Sequence, residues 1–181
     1  MGDAIQISKW RQLGLPSDDN SCDSALIAHK SHSYPLFIDP QGMAVNWLIR
    51  AYSTLKIKVV SIQSDTLMKE VADSIQLGIP ILITNIEETI ERQLDPILQK
   101  DYTVEGNRLY LQLGDDKIFV HKNRLDLFFT SKTSNPKFSP DIFIRTAVIN
   151  FVVSNQGVED LLLNHVARLE LKELEQYLSE F

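Results

Sequence analysis

The chain has 181 residues, 44% of them apolar and 23% charged, and 18 Lys and Arg against 24 Asp and Glu leave a formal charge of −6 at neutral pH. This is a globular composition, which excludes a disordered or collagen-like chain, and the length fits one domain with an appendage. The acidic balance argues against a general nucleic-acid binder, which needs a basic surface to displace counterions, and against a polybasic membrane anchor.

A single cysteine, Cys22, can form neither an internal disulfide nor a cysteine-rich zinc site. No apolar run approaches the roughly 18 residues of a spanning helix. The opening MGDAIQISKW lacks a signal peptide's apolar segment, and Gln6 breaks the myristoylation pattern. A soluble, intracellular chain is expected.

In chain order, residues 1–34 read as an irregular lead-in, with Gly14, Pro16 and the polar cluster 17–21; Ser21 is placed to cap a short helix through Ala25, Leu26 and Ile27. Pro35 to Ile38 is a short apolar run stopped by Asp39-Pro40 and predicts a buried strand. Met43 to Tyr52 carries apolar residues at helical spacing. Residues 57–62 are rich in β-branched types and predict a second strand. Ser64 or Asp65 is placed to cap a helix with Leu67, Met68, Val71, Ala72 and Ile75 on one face, ended by Gly78 and Pro80. Ile81 to Ile83 predicts a third strand, and residues 87–98 a helix that Pro96 must break or restart. Residues 108–113 and 117–120, around Gly114-Asp115-Asp116, predict a β-hairpin. Leu125–Phe129 and Val148–Val153 predict two more strands, with a loop at Ser134-Asn135-Pro136 between them, and a charged helix is expected from Gln156 to Phe181.

Apolar strands alternating with helices predict an α/β three-layer domain with a mostly parallel five-stranded sheet and an inserted hairpin. Ligands in such sheets sit at the carboxyl ends of the strands, so the turn after the first strand is where chemistry belongs. A phosphate-binding loop there needs GxxxxGK[ST]. The turn instead reads Asp39-Pro40-Gln41-Gly42-Met43-Ala44-Val45-Asn46, with one glycine and no lysine. Pro40 removes a donor, and Asp39 sets a negative charge where a polyphosphate would lie. A Walker B acid is also missing, since the third strand runs into Thr84-Asn85. Glu87 and Glu88 come later, as first-turn acids of the expected helix. Lysine, hydroxyl and acid are together several kcal/mol of phosphate and metal binding, at roughly 1.5–3 kcal/mol each, so catalysis is not expected.

Other residues carry weaker signals. His29 and His32 flank Lys30 without further metal ligands nearby, and His121 and His165 are isolated. Ser53, Ser61 and Ser64 lack a nucleophile elbow, and Asp18-Asp19 and Asp115-Asp116 read as turn residues. Trp10 and Trp47 read as core anchors. Arg145, just before the last strand and near the loop Ser139-Pro140-Asp141, reads from the residues as a surface ion pair.

The segments WRQLGLPSDDNS (10–21), PLFIDPQG (35–42), LQLGDDKI (111–118), FFTSKTSNPKFSPDI (128–142) and VINFVVSNQGVEDLLL (148–163) resemble the dynein heavy chain. Their order and spacing are similar to the fifth AAA+ module of that motor, over roughly residues 8–175. The resemblance implies a ring of six AAA+ modules in one long chain. The first module is the main ATPase, and the fifth does not bind nucleotide and braces the microtubule-binding stalk through a helical buttress. It also implies that Arg145 is a candidate arginine finger acting in trans on the fourth module. The family continues with an Arg-Pro pair and buttress helices, whereas here Leu169 follows Arg168 and the chain stops at Phe181.

The expected organisation is a lead-in over 1–34, a degenerate AAA+ core over 35–155 and a C-terminal helix over 156–181. The expected function is a non-catalytic ring module that couples ATP-driven changes in its neighbours to the stalk of a minus-end-directed motor. Asp39, Pro40, Gln41, Gly42 and Asn46 are then the phosphate-loop remnant, and Thr84 and Asn85 the Walker B remnant. Neither ATP nor Mg²⁺ is expected as cofactor, nor any metal. The expected partners are neighbouring modules, buttress and stalk helices and, indirectly, the microtubule, with no nucleic acid and no membrane. The expected location is the cilium or cytoplasmic microtubules. The rival readings are a nucleotide-binding protein with a divergent loop and a free-standing adaptor that reuses the fold.

Overall fold

A computed structural model describes residues 2–121, 125–159, 162–163, 166–167 and 169–171. Five parallel strands form the central sheet: β1 (Tyr34–Ile38), β2 (Lys58–Ser61), β3 (Ile81–Thr84), β7 (Leu127–Ser131) and β8 (Thr146–Asn150), in the order β2-β3-β7-β1-β8. β1 lies between β7 and β8, with Leu36 opposite Phe129 on one side and Val148 on the other. A second, antiparallel sheet joins β4 (Tyr102–Glu105), β5 (Arg108–Leu113) and β6 (Asp116–Val120).

The apolar strand runs do what period-2 geometry requires: successive side chains feed opposite faces. Leu36, Ile81, Ile83, Leu127 and Phe129 enter one core, with α4 (Leu67–Leu77), α5 (Asp95–Leu98) and the antiparallel sheet over them. Phe37, Leu82, Phe128 and Ile149 enter the other, covered by α1 (Gly2–Gln12), α2 (Asp19–Lys30) and α3 (Met43–Ala51). Trp47 is the hub of this second core. Its ring stacks on Phe151 at 6.1 Å and takes edge contacts from Trp10 and Phe37 at 5.5 and 6.5 Å. Trp10 and Trp47 are thus core residues.

Several elements differ from the sequence reading. Residues 2–30 are two helices rather than an irregular lead-in, because Trp10, Leu15, Cys22, Ala25 and Ala28 are buried against the sheet. Asp18, not Ser21, caps α2, accepting from the Ser21 N–H at 3.2 Å. The N-cap of α4 is Thr66, not Ser64 or Asp65, and Gly78 ends the helix in the left-handed region as expected. Residues 87–91 are not helical; a 3₁₀ turn at Arg92–Leu94 leads into α5, where Pro96 sits in the first turn. Strand β4 and helix α6 (Pro140–Arg145) were not anticipated. The last strand ends at Asn150, although Phe151 still donates to the Ile38 carbonyl at 3.0 Å. Residues 155–159 are helical, as are the described residues between 162 and 171. Residues 172–181, with the tail positions Leu174 and Leu178, and His165 lie outside the described residues.

Candidate functional site

The strand order brings the carboxyl ends of β1, β3 and β7 together, and the turn from β1 into α3 crosses them. Asp39 leaves β1 with its backbone N–H bonded to the Ser131 carbonyl of β7 at 2.8 Å. Gly42 takes a left-handed conformation (φ 72°), lets the chain turn and brings its N–H to the Asp39 carbonyl at 3.3 Å. Glycine tolerates that φ without a Cβ penalty.

The first turn of a helix has backbone N–H groups without an intrahelical partner, the geometry that holds phosphate in nucleotide-binding folds. Here the chain supplies its own anion. Asp39 Oδ1 accepts from the Met43 N–H at 2.9 Å, and Oδ2 accepts from the Val45 N–H at 3.1 Å. Asp39 is 1% exposed. Burial raises its carboxyl above the ordinary value, and hydrogen bonds from the backbone of Val45, Met43, Ala44 and Gly42 pull the other way. The negative charge that the sequence showed near the polyphosphate position is thus also the acceptor for the helix terminus.

The other residues of the expected remnant make contacts elsewhere or are exposed. The Gln41 side-chain oxygen accepts from the Val153 N–H at 3.0 Å, joining the turn to the segment after β8. Pro40 is half-buried, and Asn46 is exposed on α3. At the end of β3, the Thr84 hydroxyl donates to the Val60 carbonyl at 3.4 Å. Asn85 lies in the left-handed region (φ 64°), and its amide donates to Ser61 Oγ at 3.2 Å. Neither position brings a carboxylate. Glu87 and Glu88 are exposed in the following loop. Ser131, at the end of β7, is fully buried, and its hydroxyl has no partner among the described residues.

Arg145 ends α6, away from this turn. Nη1 donates to Asp95 of α5 and Nη2 to Asp141 of α6. Its side chain is only 9% exposed, so the ion pair read from the sequence is present but largely buried. Phe143 and Ile144 beside it are exposed at 58% and 81%. Among the described residues, no group of three or more His, Cys, Asp and Glu side chains is placed to hold a metal ion. No helix among them is long and apolar enough to cross a membrane.

A parallel sheet with this strand order, helices on both faces and a turn from β1 into a helix N-terminus defines an α/β domain of the AAA+ kind. The sequence matches the family described as the ATP-binding dynein motor region over residues 8–181, and the chain belongs to that family. It is 35% identical over 176 residues to human dynein axonemal heavy chain 6, 33% over 174 to human dynein axonemal heavy chain 10, and 35% over 174 to mouse dynein axonemal heavy chain 5. These alignments cover 96–97% of this chain but only 4% of each relative.

Proposed function

We propose that the chain is the fifth AAA+ module of a dynein heavy chain, and that it neither binds nor hydrolyses nucleotide. It works by packing against neighbouring modules, passing their ATP-driven changes toward a microtubule-binding stalk in a minus-end-directed motor. The observation that carries this reading is Asp39. Its buried carboxylate accepts from two N–H groups of the α3 terminus that a phosphate would need. A polyphosphate entering there would have to displace that carboxylate and lie beside its charge, with no lysine in the turn and no acid at the end of β3 to hold Mg²⁺. The axonemal relatives support an axonemal location.

Arg145 remains a candidate for acting on the fourth module's nucleotide. It ends α6 beside exposed Phe143 and Ile144, and finger action requires it to exchange Asp95 and Asp141 for a phosphate. In a whole motor, Arg145→Ala then alters nucleotide handling at the fourth site; unchanged handling there rejects the role.

The non-binding claim is tested by melting the 181-residue chain with and without Mg²⁺ and ATP. A ligand that binds only the folded state at a hundred times its Kd stabilises by about 2.7 kcal/mol. No shift in Tm at about 1 mM ATP is expected, given that a micromolar site would be saturated there. A dose-dependent rise refutes the reading.

A further inference from the structure

An unassigned cavity lies at the amino ends of the strands, opposite the Asp39 turn. Its volume is about 370 Å³, and it opens between α1, α2, the end of α3 and the starts of β1 and β7. The five residues of β1 separate it from Asp39 by about 15 Å. Native cores leave few voids larger than a water molecule, whereas small-molecule sites begin near 300 Å³. Trp10, Trp47, Tyr52 and Phe128 put aromatic rings on its wall, among aliphatic residues such as Leu13 and Leu48. The indole N–H of Trp47 is buried with no acceptor among the described residues.

Polar groups also line it, among them Gln6, Lys9, His29 and Asp126. Lys9 and His29 are exposed on α1 and α2, and Asp126, just before β7, is the one carboxylate of the lining among the described residues. A guest of one to two rings finds stacking and edge contacts on the wall. An anionic group on that guest finds Lys9 as a counter-ion and His29 as a hydrogen-bond donor. Asp126 penalises a second negative charge.

We propose that this cavity is a binding site for a small planar aromatic molecule bearing one carboxylate. It is separate from the phosphate-loop remnant and independent of the proposed mechanical role. The chain holds two tryptophans, and both line the cavity, so intrinsic fluorescence reports on it directly.

The probes are 2-naphthoate and its neutral analogue 2-naphthalenemethanol, titrated into the full chain. Saturable quenching is expected, with half-saturation by naphthoate below about 1 mM, as the ligand efficiency of a small probe allows. Lys9→Glu weakens naphthoate about three- to tenfold, in line with an exposed charge pair, and leaves the neutral analogue unchanged. Ala51→Phe, which places a ring in the cavity, abolishes binding of both. Absence of saturation overturns the proposal, and so does naphthoate affinity unchanged by Lys9→Glu or by a folded Ala51→Phe. If Ala51→Phe does not fold by circular dichroism, the paired Lys9 measurements decide alone.

Discussion

Removing the Asp39 carboxylate tests the internal anion. Asp39→Ala strips the acceptor from the Met43 and Val45 N–H groups, which the carboxylate holds at 2.9 and 3.1 Å. Hydrogen bonds to charged groups contribute about 1.5–3 kcal/mol each, so the gross loss is about 3–6 kcal/mol. Relief of a buried charge, whose desolvation is the leading cause of the raised carboxyl pKa, offsets part of that. Cap deletions in general cost about 0.5–2 kcal/mol, and we expect a net loss of about 2 kcal/mol. For a chain of this size that is a fall in Tm of about 4–8 °C.

The pH dependence has a definite sign. A carboxyl raised in the folded state binds more protons there than in the unfolded chain, so its contribution is full below the ordinary value of 3.8 and declines as pH rises through the folded value. Asp39→Asn removes that titration. The stability of the natural chain relative to Asp39→Asn therefore decreases as pH rises above 3.8. Thermal melts of the three proteins from about pH 4 to pH 7 measure both effects. An unchanged Tm for Asp39→Ala, or a difference that grows with pH, refutes the reasoning.

Three further predictions follow from packing and charge. Arg145→Met leaves Asp95, 30% exposed, without its partner and lowers stability by about 1–2 kcal/mol, less than a fully buried pair because Asp141 is 63% exposed; a denaturant melt showing no change places the ion pairs at zero net value. Phe151→Ala removes the ring stacked on Trp47 and costs about 3–5 kcal/mol, with loss of near-ultraviolet dichroism; a cost under about 1 kcal/mol contradicts the described core. Gly157→Ala sets a Cβ 2.6 Å from Asp18 Oδ1 and 2.8 Å from Val153 Cγ1, so a loss of about 1–3 kcal/mol is expected, with faster hydrogen exchange at the Ser21 amide that Asp18 caps; unaltered exchange rejects a link between residues 155–159 and α2.

The parallel sheet was legible because buried strands are continuous apolar runs. Leu36-Phe37, Ile81-Leu82-Ile83 and Leu127-Phe128-Phe129 each feed both cores, so their composition alone marks them. Helices α3 and α4 carry clear apolar faces. Helix α1 does not: its burial rests on Trp10 with Ile7 packed alongside, and tertiary contact forms it where local pattern is weak. Two misses left usable signals. Serine followed by proline is a common way for a helix to start, and α6 starts at Ser139-Pro140. Strand β4 is short and exposed, but Gly106-Asn107 separates it from β5, which is a two-residue hairpin signal. At the site, the absent lysine and acid and the misplaced charge of Asp39 could be read directly. Its capping role could not, because Asp39 lies four residues before Met43 and six before Val45, outside the usual N-cap position. Only the fold around Gly42 brings them together.

The central claim is that Asp39 supplies the anion this site needs, so that nucleotide finds no place there. Calorimetric titration of Mg²⁺ and ATP into the folded chain tests it most directly. The account predicts no saturable heat up to about 1 mM ATP, a concentration that would fill any site of micromolar affinity. A saturable isotherm with one ATP per chain would contradict it, and would mean that the Asp39 carboxylate yields its hydrogen bonds to phosphate.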